Sequence, residues 1–242
     1  MSFGYNVLGF GSLGGSRVSP LTLNITSNTS EYNILTAANS AGYDAPSGQP
    51  IIVNVASGVT VSGSSSHAMR TGAINAASPL TINVTGNIDG YTGANGSAGR
   101  PGSAGSVGGD AIYWESSTPY TGTGIVNILS GGKVRGGGGG GGGGGLGQAR
   151  RGVGADGKGA PICGGSPDTV GPTGATGSAG GFGSAGASGA SGGGSPAHPS
   201  LTCPVVTPAS GGGAGGAAGF AVRKNSRTVT VNNSGTINGT AG

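Results

Sequence analysis

Apolar and polar residues alternate with a period of two in several short stretches of the first ninety residues. Leu21, Leu23 and Ile25 are interleaved with Thr22, Asn24 and Thr26. Ile51, Val53 and Val55 alternate, then Val59 and Val61, and Leu80, Ile82 and Val84 repeat the pattern. This period, in residues as β-prone as Thr, Val and Ile, predicts half-buried strands. Between the first two stretches, SEYNILTAANSAG permits one short helix over 31–38, with Gly42 as its stop. PLTLNITSN (20–28) returns as PLTINVTGN (79–87). A second repeat links NVTGNIDG (83–90), NILSGGKVRG (127–136) and NNSGTING (232–239), each a strand, a Gly turn, then Ile or Val two residues before a glycine. Two of the three lead straight into glycine-rich sequence, so short strands are expected to feed it and hold its ends in register.

The hydrophobic pattern then stops. Residues 136–145 are ten consecutive glycines, which neither an α-helix nor an ordinary strand would use. Two conformations suit such a run: a flexible linker, or a left-handed extended helix of the polyproline-II type with three residues per turn. That helix has no internal hydrogen bonds, so its backbone groups need partners in neighbouring rods. A rod enclosed on all sides must be glycine on all three faces, and a rod at the edge needs glycine only at every third position. Gly136, Gly140 and Gly145 are thus expected in the central rod, about 31 Å long at about 3.1 Å per residue. Edge rods are expected where glycine recurs every third residue from 90 to 108 and again from 171 to 192, with Ala, Ser and Thr between. The denser run 211–219 suits a more enclosed rod. A collagen triple helix fits less well, because the triplets carry little proline and the ten-glycine run breaks their pattern.

Composition sharpens this picture. Of 242 residues, 60 are glycine, 33% are hydrophobic and 7% charged. A conventional core is too small to account for most of the stability, so backbone hydrogen bonds and close contacts must carry more than usual. The fold class expected is mainly β and irregular: an attachment segment (1–19), an N-terminal β region (20–89) and a bundle of polyglycine-II helices with short connecting strands and loops (90–242). The net charge of +4 is too diffuse for a nucleic-acid surface. No apolar run is long enough to cross a bilayer, and MSFGYNVLGFGS lacks the basic and apolar regions of a signal peptide.

Little chemistry is visible. His67 and His198 are the only histidines, and no hydrolase, zinc-protease or nucleotide motif occurs. No enzyme activity, cofactor or metal is expected. Cys163 and Cys203 are the only cysteines; they flank rods and are read either as one disulfide or as two thiols. The loops at 113–120, 146–170 and 195–210 carry Tyr113, Trp114, Tyr120, Arg150, Arg151 and His198, side chains that stack, pair charges and donate hydrogen bonds. A rigid scaffold with such loops is a recognition architecture. The N-terminus holds Phe3, Tyr5, Leu8 and Phe10 among glycines, an apolar segment suited to docking on another protein.

The order of GxxG rods, GGDAI, strand, ten-glycine run, long loop, further GxxG rods, GGAAGFAV and a final VTVNNSGTING resembles the glycine-rich adhesins at the tips of bacteriophage tail fibres, over 79–242. That resemblance implies a polyglycine-II sandwich whose distal loops bind bacterial outer-membrane proteins or surface glycans. It implies other virion proteins as partners, and a place in the virion after synthesis in the host cytoplasm. A purely structural virion protein, a head decoration or tail cap, is the competing function. An ice-binding protein is a third, which the two long loops disfavour.

Overall fold

A computed structural model describes residues 18–115, 124–150, 153–155, 161–163, 169–194 and 205–242. The alternating stretches form strands, and every sheet they build is parallel. The first sheet stacks Leu21–Ile25, Ile51–Val55, Leu80–Val84, Gly124–Ile128 and Val229–Asn233 in sequence order. The second stacks Thr29–Ser30, Thr60–Ser62, Asn87–Asp89, Lys133–Arg135 and Thr236–Asn238. The third stacks Tyr32–Asn33, Met69–Arg70, Ile112–Tyr113 and Val222–Arg223, and Ala241 bridges onto Val222. The chain therefore winds through five turns of a three-sided solenoid, each turn resting on the one before.

Register explains why the alternation matters. Leu23, Val53, Ile82, Val126 and Val231 are aligned, as are Val61, Ile88, Val134 and Ile237. Their side chains form stacked apolar rows inside the solenoid, and the middle turns are fully buried. Glycine makes the corner between first and second sheets in turns two and four, where Gly58 and Gly131 have φ of +77° and +85°. Outside, one asparagine per turn makes a continuous ladder. The Nδ2 of Asn54 donates to Asn24 Oδ1, Asn83 to Asn54, Asn127 to Asn83 and Asn232 to Asn127, at 2.8–2.9 Å.

The helix is displaced from its expected position. It spans Ile34–Ser40, because Glu31 sits in the left-handed region at φ +50° and Tyr32–Asn33 pairs with Met69–Arg70. Asn33 caps the helix by accepting from the Thr36 N–H. The boundary expected at residue 89 falls inside this sheet system, since strands on both sides of it share all three sheets.

The glycine sequences are insertions in the third and fourth turns, between the second and third sheets. In these two turns the strand of the second sheet simply continues: Asn87–Asp89 into a rod at 90–99, and Lys133–Arg135 into one at 136–147. The runs expected as single edge rods are folded in two. Residues 90–99 and 102–109 form one hairpin and 171–181 and 184–194 another, while 210–219 returns to the solenoid.

Around the ten-glycine rod the contacts repeat every third residue, the period of a polyproline-II-type helix. The N–H groups of Gly137, Gly140 and Gly143 donate to the rod 102–109, and those of Gly139, Gly142 and Gly145 to the rod 184–194. The carbonyls of Gly138, Gly141 and Gly144 accept from 90–99, those of Gly139, Gly142 and Gly145 from 171–181, and those of Gly137, Gly140 and Gly143 from 210–219. Every carbonyl from Gly136 to Leu146 accepts a backbone N–H. The rod thus has five neighbours in what would be a hexagon of six, and all ten of its glycines are buried. Among the described residues no rod takes the sixth direction, the one the N–H groups of Gly138, Gly141 and Gly144 face. There the side chain of Asn95 substitutes for a missing rod, its Oδ1 accepting from the Gly141 N–H at 2.7 Å.

Candidate functional site

The bundle has two ends with different chemistry. Its root is fixed to the solenoid by buried charge. Asp110, 1% exposed, follows the rod 102–109. It accepts from the Phe220 N–H at 2.8 Å and from the Arg223 guanidinium at 2.6 and 3.0 Å, both just beyond the rod 210–219. His67 Nδ1, from the second turn, stands 3.1 Å from the same carboxylate. Burial raises the Asp110 pKa, but the His67 and Arg223 side chains and the Phe220 N–H outweigh it, so the net direction is down. A second pair, Arg135 with Asp89 at 2.7 Å, sits where the other two rods begin, and Arg135 also covers the Phe182 ring at 4.2 Å. One acid thus ties three separate chain segments together at the root.

The opposite end gathers the connections between rods. Arg100, at the tip of the first hairpin, donates to the carbonyls of Gly147 and Pro208. Ser210 Oγ accepts from the Leu146 N–H at 2.9 Å and donates to the Gly99 carbonyl at 3.0 Å. Beyond these, Ala149–Arg150 pairs antiparallel with Thr169–Val170 and with Val205–Thr207, and Val153–Ala155 pairs with Pro161–Cys163. The tips of three rod pairs therefore converge on one small set of antiparallel strands, separated from the solenoid by the length of the glycine rods, about 31 Å.

The family model for the phage tail fibre adhesin Gp38 matches residues 20–242, which takes in the solenoid, the rods and the far end. The chain belongs to this family. The adhesin has the fold of a solved relative as well, the gp37–gp38 adhesin tip complex of the bacteriophage S16 long tail fibre. The two are 19% identical, with a TM-score of 0.51 over 92% of this chain and 82% of that one. No curated protein matches the chain. A tail-fibre adhesin is a virion component, and adhesion rather than catalysis is what such membership points to. Among the described residues no group of three or more His, Cys, Asp or Glu could hold a metal. No described helix is long and apolar enough to cross a membrane.

Against this geometry the candidate contact residues of the adhesin divide. Trp114 is corrected outright: at 2% exposure it is a core residue, and it follows the third-sheet strand into the solenoid interior. Its carbonyl accepts from Asn225 Nδ2. Tyr113 is half-buried, stacked on His67 at 4.0 Å with a 10° interplanar angle, at the root rather than the far end. Arg150 is at the far end, in the strand paired with Thr169 and Val205. Tyr120, Arg151 and His198 lie outside the described residues, as do Phe3, Tyr5, Leu8 and Phe10. Cys163 is in the far-end hairpin, opposite Val153, and Cys203 lies outside the described residues. Gly136, Gly140 and Gly145 are in the enclosed rod, where a Cβ at any of them would collide with a neighbouring backbone carbonyl.

Sequence reasoning missed Asp110, Arg223 and Arg100. Asp110 and Arg100 directly follow a rod and Arg223 stands four residues beyond one, and that position, rather than any motif, was the available signal.

Proposed function

We propose that the end of the bundle remote from the solenoid is the host-contact surface of this adhesin, and that residues 1–19 join it to the virion. The observation that supports this is topological. The sequences without a glycine repeat, 146–170 and 195–210, lie between rods whose ends meet at that one end, about 31 Å from the solenoid. An inward rod position admits only glycine, so recognition cannot vary there, whereas the connections are free to vary. Arg150, Arg151 and His198 are the side chains we assign to contact with a bacterial surface protein or glycan. The 113–120 loop leaves this set, because it departs from the root. The protein acts as a non-enzymatic binder without nucleic-acid or membrane-inserting roles. The solved relative is a complex with a second fibre protein, which favours fibre attachment over a head position.

The experiment exchanges 146–170 and 195–210 for the equivalents of an adhesin with another host range. Folded exchanged protein is expected to adsorb to the new host and to lose the old one. Deletion of 1–19 is expected to leave adsorption intact and abolish incorporation into particles. If the exchanged protein binds the same cells as the parent, the chain is a structural virion protein instead.

A further inference from the structure

The rods leave the solenoid between its second and third sheets, and in a three-sided coil that corner lies opposite the first sheet. The outer face of the first sheet is therefore the side turned away from the bundle. It is also the neutral side. Its strands, LTLNI, IIVNV, LTINV, GIVNI and VTVNN, hold no charged residue, in a chain with 11 basic and 7 acidic ones. The other two sheets differ: the second carries Asp89, Lys133 and Arg135, and the third Arg70 and Arg223.

Two rows of side chains cross this face at right angles to the strands. One is the asparagine ladder, whose amides already bond to one another, so the row loses little when water leaves it. The other is Thr22, Ile52, Thr81, Ile125 and Thr230, aligned by register. Ile52 and Ile125 flank Thr81 on the outer side, while the alternate residues of their strands fill the core. Leu129, 41% exposed, stands just past the fourth strand. None of the outward residues of either row is buried. Five strands at about 4.8 Å by five residues at about 3.3 Å make a face of about 400 Å². A standard interface covers about 800 Å² on each partner, so two copies of this chain meeting on this face alone would not hold. A partner that also grips the attachment segment is a different case, because the first hold raises the effective concentration for the second. The chain enters the sheet from that segment: Ser19, whose carbonyl accepts from Gln49 Nε2 at 3.0 Å, is two residues from Leu21.

We propose that the outer face of the first sheet is the surface on which the adhesin seats against its fibre. The partner it fits is a fibre protein with a flat, uncharged surface of aliphatic and hydroxyl side chains, since a charge placed opposite these rows would be dehydrated without a counter-charge. This rests on the reading that the protein stands at a fibre end with its far end towards the host. Seat and tip are then on opposite sides of the molecule.

The test loads purified full-length protein onto particles assembled without the adhesin and measures the amount bound against protein concentration. Thr81→Lys puts a charge in the middle of the row. The double variant Ile52→Thr with Ile125→Thr gives these two turns the threonine that the other three carry. Ser188→Lys, at an exposed position on a rod, is the control. Thr81→Lys is expected to weaken loading by about tenfold or more, and the threonine pair by a smaller factor, while Ser188→Lys loads like the parent. All three should melt and adsorb to host cells as the parent does, which separates a lost seat from a lost tip or a misfolded chain. Loading at the parent level by both face variants overturns the proposal. So does a parent that is dimeric in solution and monomeric as Thr81→Lys, which gives the face to a second copy. Loss of host adsorption when the loop sequences are kept would count against the host-contact reading alone, whereas a parent that does not load overturns fibre attachment and the seat with it.

Discussion

Substituting Gly140 by alanine adds one carbon to the protein and should weaken it more than most core truncations. A Cβ built at Gly140 stands 1.9 Å from the Ala94 carbonyl oxygen, and real Cβ contacts essentially never fall below 3.0 Å. The obstacle is backbone on both sides, so no side chain can turn away. Relief requires the rod 90–99 to move off by about 1.1 Å. That seam holds Gly93 to Gly138 at 2.8 Å, Gly96 to Gly141 at 2.7 Å, Gly99 to Gly144 at 3.1 Å, and Asn95 to Gly141 at 2.7 Å. Opened by that amount, all four exceed hydrogen-bonding range. At about 1 kcal/mol net for each, the loss is about 4 kcal/mol before any overpacking strain. For a protein of this size that is a fall in Tm of about 8–16 °C, out of a total stability of about 5–15 kcal/mol. Gly140→Val adds two more methyl groups and is expected to prevent folding. The control is Gly211→Ala, where a Cβ would meet nothing within 4 Å and the reduced freedom of the unfolded chain should leave stability equal or higher by up to about 1 kcal/mol. Calorimetry or circular dichroism on the three variants reads the difference. If Gly140→Ala melts within about 2 °C of the parent, the rods are not packed backbone to backbone and the central-rod account fails.

Two further outcomes follow from single side chains. Asn95→Ala leaves the Gly141 N–H without its acceptor and should cost about 1–3 kcal/mol in denaturant unfolding, whereas Asn95→Asp keeps an acceptor and should recover most of it. Asp110 has a pKa below its ordinary 3.8 in the folded state, so it stabilises above about pH 4 and that contribution is lost as pH falls through the folded value. Asp110→Asn should lower stability at pH 7 by about 3–5 kcal/mol, because it strands Arg223, and should flatten the acid limb of a plot of Tm against pH.

Period and composition made much of this legible. The alternating stretches are strands because one face of each is buried, and the ten-glycine run is the enclosed rod because it alone lacks a Cβ on all three faces. Other features depended on longer-range order. PIIVNVASG at 50–58 alternates like its two neighbours and is a turn like them, but Ile52 and Ala56 stand where both neighbours have threonine, and that kept it out of the repeat. The asparagine shared by all five turns would have revealed it. The reversals at Arg100 and Phe182 left no mark in the glycine period, because a rod that turns back presents glycine inward at the same interval. Trp114 looked like a recognition residue because Trp is common at binding sites, yet its position one residue after an inward-facing strand placed it in the core. Burial at such a site is set by register with strands 43 and 110 residues away.

The three-residue row around the central rod sets a reading frame for change in length. Inserting one or two residues in any of the five surrounding rods would rotate everything beyond it by a third or two thirds of a turn, and would carry Ala, Ser or Thr into positions where only hydrogen fits. Three residues inserted in one rod restore the rotation but leave its neighbours about 9 Å short. The bundle can therefore grow or shrink only in whole triplets, and only when all six rods change together. The connections at the far end obey no such frame. A lineage of these proteins should keep the reach of its scaffold nearly constant while the sequences it carries at the tip drift in both length and composition.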